Sequence, residues 1–155
     1  MLGRHTATPD ECYFCLWEGW AWLHGSPAVA RAVFGSGRAE PVPPALTPDE
    51  LRSPRVTLPD RGYLLMRGPL SATEALSQYE PGRWSTQSPN LVWPADRTWC
   101  VASEIDFDST VVGGSAALID ELLRSPDLEA WPIRPDDSLA IDADEVNVLP
   151  GPRAD

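Results

Sequence analysis

The chain has 155 residues, enough for one domain that buries roughly 68–70% of the surface its unfolded form exposes. Its content of 43% hydrophobic residues, including seven tryptophans, excludes global disorder. The net charge of −11 disfavours direct binding to nucleic acid, because phosphate backbones are also negative. It favours a protein partner with a basic surface or a divalent cation, and acidic solubility alone explains it equally well.

The N-terminus and the cysteines indicate where the protein resides. Residues 1–6 lack the apolar core and cleavage site of a secretory signal, and no apolar run approaches the ~18–20 residues that a membrane span needs. Three cysteines, Cys12, Cys15 and Cys100, are too few for a disulfide framework and are interpreted as thiols. We therefore expect a cytoplasmic protein that does not enter a membrane.

The first predicted elements are a helical turn and a strand. Thr8 and Glu11 have the spacing of a capping box, which predicts a helical turn. The aromatic-rich residues 13–17 favour a strand. Continuation from residue 13 to Leu23 as a buried helix is the open alternative.

Residues 25–59 are rich in proline and glycine and are predicted to form a long insertion within the domain. A short helix is expected at 26–34, and a second capping box at Thr47 and Glu50 predicts one more turn.

The middle of the chain is predicted to alternate short strands, helices and loops. Residues 63–66 form a short apolar strand, residues 71–79 a helix and residues 81–97 a loop. The strongest strand pattern covers 98–108, because from Val101 apolar or small residues alternate with polar ones.

The C-terminal third completes the predicted fold. Residues 111–115 are extended, Ser115 caps a helix over 116–124, and 129–133 is predicted to be an edge strand. Residues 135–155 form an acidic tail, part of which is expected to be ordered. The fold class is α+β, a single domain over 1–155 with a mostly antiparallel sheet and two or three helices on one face.

Carboxylates form the first candidate site. Glu104, Asp106 and Asp108 are spaced by two residues, so an extended strand places them on one face, where oxygen ligands suit Mg²⁺ or Ca²⁺. A solvated sheet face explains the same pattern without a metal, and no cofactor is predicted.

His5, Cys12, Cys15 and His24 are a weaker candidate metal site of the zinc type. In a strand, however, Cys12 and Cys15 point to opposite faces, which favours buried core thiols.

Tryptophan and arginine residues form a candidate binding surface. Trp93 and Trp131 each precede a proline, and Arg97 and Arg134 follow close by, as in aromatic recognition surfaces. Packing of these tryptophans in the core is the alternative. For partner binding we select Trp93, Arg97, Glu104, Asp106, Asp108 and Trp131.

The chain resembles a family of small cytosolic proteins from high-GC actinobacteria to which no activity is assigned. The segments that carry the resemblance are Cys12–Gly19, Leu58–Tyr63, Trp93–Asp106 and Val112–Ser115. The resemblance implies a compact cytosolic domain, and it implies no substrate and no catalytic residue.

Two functions follow from these residues. The leading hypothesis is a non-enzymatic protein-binding domain, an inhibitor of the immunity or antitoxin type that masks a basic partner. The alternative is a divalent-metal-dependent hydrolase or ligand-binding domain that uses Glu104, Asp106 and Asp108.

Overall fold

The fold is taken from a computed structural model that describes residues 1–24, 44, 46–75, 88–107 and 109–139. The predicted helix at 26–34, Asp108 and residues 140–155 of the acidic tail lie outside these residues. In chain order the elements are a 3₁₀ turn (Leu2–His5), β1 (Cys12–Trp17), α1 (Ala21–His24), a 3₁₀ turn (Glu50–Arg52), β2 (Arg55–Leu58), β3 (Arg61–Gly68), α2 (Ala72–Ala75), β4 (Leu91–Pro94), β5 (Trp99–Ser103), β6 (Thr110–Gly114) and α3 (Ala116–Leu123).

The strands form one six-stranded sheet in the order β2-β3-β1-β4-β5-β6, and every pair of neighbours is antiparallel. The predicted α+β class with a mostly antiparallel sheet is therefore confirmed. The central strand is β1, in which Phe14 lies between Met66 of β3 and Val92 of β4. The strand prediction for residues 13–17 is also confirmed, and helix α1 begins only after a turn at Glu18 and Gly19.

All the described helical segments pack on one face of the sheet, which we call the covered face. In β1 this face carries Cys12, Phe14 and Leu16, all with at most 1% of their surface exposed. One cluster of core residues brings Leu118 of α3 against Phe14, and a second brings Leu23 of α1 against Leu16. Partly buried residues from the remaining helical segments complete these clusters: Leu2, Leu51 and Ala72.

The other face, which we call the open face, has no described helix on it. Because side chains alternate along a strand, β1 directs Tyr13, Cys15 and Trp17 to this face. An apolar row crosses it, in which successive residues are paired between neighbouring strands: Leu65, Cys15, Leu91, Ala102 and Val111. All five except the fully buried Cys15 are half-buried.

Local capping explains where two elements begin. Thr47 and Glu50 form the predicted capping box, since the Glu50 carboxylate accepts the Thr47 N–H at 2.7 Å and the Thr47 hydroxyl accepts the Glu50 N–H at 3.3 Å. The Ser115 hydroxyl accepts the Leu118 N–H at 3.3 Å and caps α3 as predicted.

The predicted capping box at Thr8 and Glu11 does not form, although the short turn predicted there does. The residues from Thr8 to Glu11 form a turn closed by the Glu11 N–H and the Thr8 carbonyl at 3.0 Å, and no helix follows. The Thr8 hydroxyl instead accepts the Asp96 N–H at 3.2 Å, because the N-terminal segment lies against the turn between β4 and β5.

Three strand predictions differ from the structure. The loops predicted at 25–59 and 81–97 contain β2 and β4. The strand predicted at 129–133 is irregular chain, since Pro132 has no N–H to donate and no described strand pairs with it.

Candidate functional site

The predicted row of carboxylates does not form. β5 ends at Ser103, and Glu104, Ile105 and Asp106 enter a turn closed by the Phe107 N–H and the Glu104 carbonyl at 3.3 Å. The prediction of a strand over 98–108 is therefore wrong beyond Ser103, and Phe107 is 44% exposed. The side-chain carboxylate of Glu104 accepts the Ile105 N–H at 2.8 Å, which helps to turn the chain out of the sheet.

Arg61 binds both of the described carboxylates. Its Nε donates to Glu104 at 3.0 Å, and its terminal nitrogen forms an ion pair with Asp106. The guanidinium also lies over the Trp17 ring, 5.3 Å from the centroid. Arg61 therefore offsets part of the charge of these two acids, and Asp106 remains 69% exposed while Glu104 is 29% exposed.

Tyr63 completes this cluster on the open face. Its hydroxyl donates to the second oxygen of Glu104 at 3.4 Å, and its ring is 3% exposed. Burial, with the neighbouring Glu104 carboxylate, raises the pKa of Tyr63. These contacts join β3, β1 and the turn after β5. We call the residues that make them the Arg61 cluster: Arg61, Glu104, Asp106, Tyr63 and Trp17.

The four candidate zinc ligands are not brought together. His5 contacts Glu121 at 2.7 Å, and His24 contacts the Glu18 carbonyl at 2.8 Å. Cys12 lies on the covered face and Cys15 on the open face, both fully buried. Burial raises the pKa of Cys12, and it raises that of Cys15 to about 12, so both are inert thiols at neutral pH.

Within the described ranges, no three His, Cys, Asp or Glu side chains form a group that could hold a metal ion. Glu104 and Asp106 belong to the Arg61 cluster, and the position of Asp108 is not described.

A polar cleft of about 330 Å³ lies at one end of the sheet, beside the residues that precede β4, the end of β5 and the start of β6. Its lining includes Trp20, Asn90, Ser103, Glu104 and Thr110. The Ser103 and Thr110 hydroxyls bond each other at 2.7 Å, and Glu104 is held by Arg61. No described hydrogen bond joins a serine or threonine hydroxyl of this lining to the Glu104 carboxylate.

Asn90 is a structural residue at this end of the sheet, missed from the sequence. It is 4% exposed, and its side chain accepts the Trp17 N–H at 2.8 Å and donates to the Ser103 carbonyl at 3.1 Å. Its amide thereby joins β1 to β5 at the start of β4. An isolated asparagine in a Pro- and Ser-rich stretch gives no sequence signal for this role.

The candidate tryptophans lie in different environments. Trp93 lies on the open face and stacks on Tyr13 with ring centroids 5.6 Å apart, and it is half-buried. Arg97 is exposed in the turn between β4 and β5, where its φ of 56° is left-handed. Trp131 is 64% exposed in the irregular chain after α3.

Trp131 belongs to a stretch of exposed apolar and acidic residues, which we call the acidic segment (residues 125–139). Leu128 and Ile133 are 50% and 47% exposed. The segment has four acids and one arginine, a net charge of −3, and all these acids are exposed. Asp127, Glu129, Asp136 and Asp137 are the acids, and Arg134 is the arginine.

Two local contacts give the acidic segment some order. The Asp137 carboxylate accepts the Arg134 N–H at 2.7 Å, and the Trp131 indole donates to Glu129 at 3.5 Å. With these contacts in place, Trp131 is still 64% exposed. Trp131 is the one residue of this segment selected from the sequence for partner binding.

No family model, curated protein or solved structure matches the chain. The resemblance to actinobacterial proteins therefore stays a prediction. None of the described helices is long and apolar enough to cross a bilayer.

Proposed function

We propose that this chain is a non-enzymatic protein-binding domain, an inhibitor of the immunity or antitoxin type, whose partner carries a basic surface. The observation that carries the proposal is Trp131, which is 64% exposed among exposed carboxylates. A large exposed aromatic side chain is costly in water and is enriched at the centres of protein interfaces.

Charge and apolar surface have separate roles in this proposal. The carboxylates of the acidic segment attract a basic partner and set the encounter rate, because charges act at a distance. Trp131, with Leu128 and Ile133, then enters an apolar pocket of the partner and supplies most of the affinity.

The acidic segment replaces the carboxylates first selected from the sequence. Glu104 and Asp106 share the single positive charge of Arg61 and keep a net charge of −1 with it, whereas the acidic segment has a net charge of −3. Residues 101–155 contain 13 acids and 3 arginines, a net charge of −10, so the surrounding sequence adds to the same negative field.

Affinity capture from the native host tests the proposal, with the full chain immobilised at low salt. Three variants are compared with wild type: Trp131→Ala, a variant with all four acids of the acidic segment changed to amides, and Leu58→Ala. Leu58 is 43% exposed on β2 and serves as a matched control on another surface.

We expect a basic protein that binds wild type and the Leu58→Ala variant equally. Trp131→Ala should weaken its binding about 30-fold, as for an interface hot spot of roughly 2 kcal/mol. The amide variant should slow association and reduce its salt dependence. A partner that binds the Trp131→Ala variant and the amide variant as tightly and as fast as wild type would refute the proposal.

A further inference from the structure

The two edge strands of the sheet differ in how they are protected from pairing. β2 is flanked by Pro54 and Pro59 and begins with Arg55, features that discourage a further strand. β6 is Thr-Val-Val-Gly-Gly, with no proline and no charge, and among the described strands it pairs only with β5. Its outer edge is therefore a template for strand addition.

The hydrogen-bond register shows which β6 residues face outward. The Ser103 N–H donates to the Asn90 carbonyl at 2.7 Å, so Ser103 directs its backbone groups to β4. Since these directions alternate in an antiparallel ladder, Cys100 and Ala102 direct theirs to β6 and bond their partners Gly113 and Val111. Thr110, Val112 and Gly114 must then direct their N–H and carbonyl groups away from the sheet.

These outward residues are arranged symmetrically. β6 spans Thr110–Gly114, so Val112 is its centre and an outward residue stands at each end. We propose that β6 pairs antiparallel with β6 of a second copy of this chain, about a two-fold axis through Val112. The axis pairs Val112 with itself and Thr110 with Gly114, which uses every outward backbone group of the strand.

The side chains fit this pairing on the open face. The same register places Val111 opposite Gly113 of the second copy. A Cβ built on Gly113 meets no atom within 4 Å, so the methyl groups of Val111 have room there. Two open faces, with their apolar rows, become continuous across the seam.

The charge of the chain distinguishes between two possible partners of the β6 edge, a second copy of the chain and a basic peptide. Residues 109–119 contain no charged side chain, so no like charges meet at the seam. Each copy nevertheless has a net charge of −11, and this longer-range repulsion is screened by salt. Self-pairing should therefore strengthen as salt is added, whereas binding of a basic peptide would weaken. The inference does not depend on the proposed function.

Sedimentation equilibrium tests the pairing with wild type, Gly113→Lys and Gly113→Ser. We expect a wild-type dimer whose dissociation constant falls with added salt. Gly113→Lys should raise that constant at least about tenfold, because its long side chain occupies the space that the methyl groups of Val111 of the second copy need. Lysine also lowers the net negative charge, so general repulsion gives the opposite result. Gly113→Ser is the neutral control and should dimerise like wild type.

Amide hydrogen exchange on wild type tests the register itself and needs no variant. The N–H groups of Thr110, Val112 and Gly114 should exchange rapidly in dilute protein and slowly at concentrations that favour the dimer. A chain that stays monomeric at high salt, a dimer unaffected by Gly113→Lys, or protection confined to other residues would each overturn the proposal.

Discussion

The two faces of the sheet carry alternate residues of the same strands, but they differ in how their side chains are shielded from water. On the covered face, Phe14, Leu64 and Leu118 are at most 1% exposed, and helices exclude water from them. On the open face, Tyr13 stacks on Trp93, and Trp17 lies under the Arg61 guanidinium. The difference indicates that most of the stability comes from the covered face. On the open face, side chains shield one another from water.

Removing an aromatic ring from the covered face should have the largest effect. We expect Phe14→Ala to lower the free energy of unfolding by about 3–5 kcal/mol, because the site is enclosed by β3, β4 and α3 and cannot collapse fully. Urea unfolding followed by circular dichroism measures the change. A loss below about 1 kcal/mol would contradict a close-packed covered face.

A matched change on the open face should cost less. Trp93→Ala removes the stack on Tyr13 but leaves a half-buried site that water can enter, so we expect a loss of about 1–2 kcal/mol. The same unfolding experiment compares the two variants directly. A cost equal to that of Phe14→Ala would show that the open face is as enclosed as the covered one.

The ion pairs of the Arg61 cluster should contribute less to the free energy of unfolding than either aromatic ring. The two carboxylates, Glu104 and Asp106, should also contribute unequally. Glu104 is 29% exposed and accepts three donors, whereas Asp106 is 69% exposed and accepts Arg61 alone among the described donors. We expect Glu104→Gln to cost up to about 1 kcal/mol and Asp106→Asn less than about 0.5 kcal/mol. The destabilisation by Asp106→Asn should vanish in molar salt. If Asp106→Asn cost more stability than Glu104→Gln, Asp106 would be the more important partner of Arg61, contrary to this prediction.

Thiol labelling compares the faces without a substitution. Cys100 is exposed on the open face, whereas Cys12 and Cys15 are fully buried. Partial burial raises the pKa of Cys100, so it should react with a thiol reagent more slowly than free cysteine but well before the other two. Mass spectrometry of native protein should show one modified cysteine, and unfolded protein should show three. Early labelling of Cys15 would show that the apolar row admits solvent.

Several elements could be predicted because their signals are local. The aromatic run of β1, the apolar residues of β3 and the Ser115 cap of α3 each identify an element within a few residues. β2 and β4 were missed because each has only four residues beside prolines, and their stability comes from pairing with β3 and β1.

The candidate site was predicted less well, for a physical reason. The alternation from Val101 to Asp108 continues in the sequence, but the backbone leaves the sheet at Glu104, whose carboxylate binds Arg61, far away in the chain. Periodicity does not reveal such a long-range ion pair. The exposure of Trp131 was open at the sequence level, since a tryptophan beside a proline fits a core as well as a surface.

The central position of β1 also determines how the chain can fold. This strand is synthesised first, but its neighbours in the sheet are Arg61–Gly68 and Leu91–Pro94, which leave the ribosome much later. Until they do, β1 has unpaired backbone groups on both sides. Formation of the sheet is therefore governed by slow closure of long loops, and a nascent chain stalled before residue 91 would be prone to aggregate.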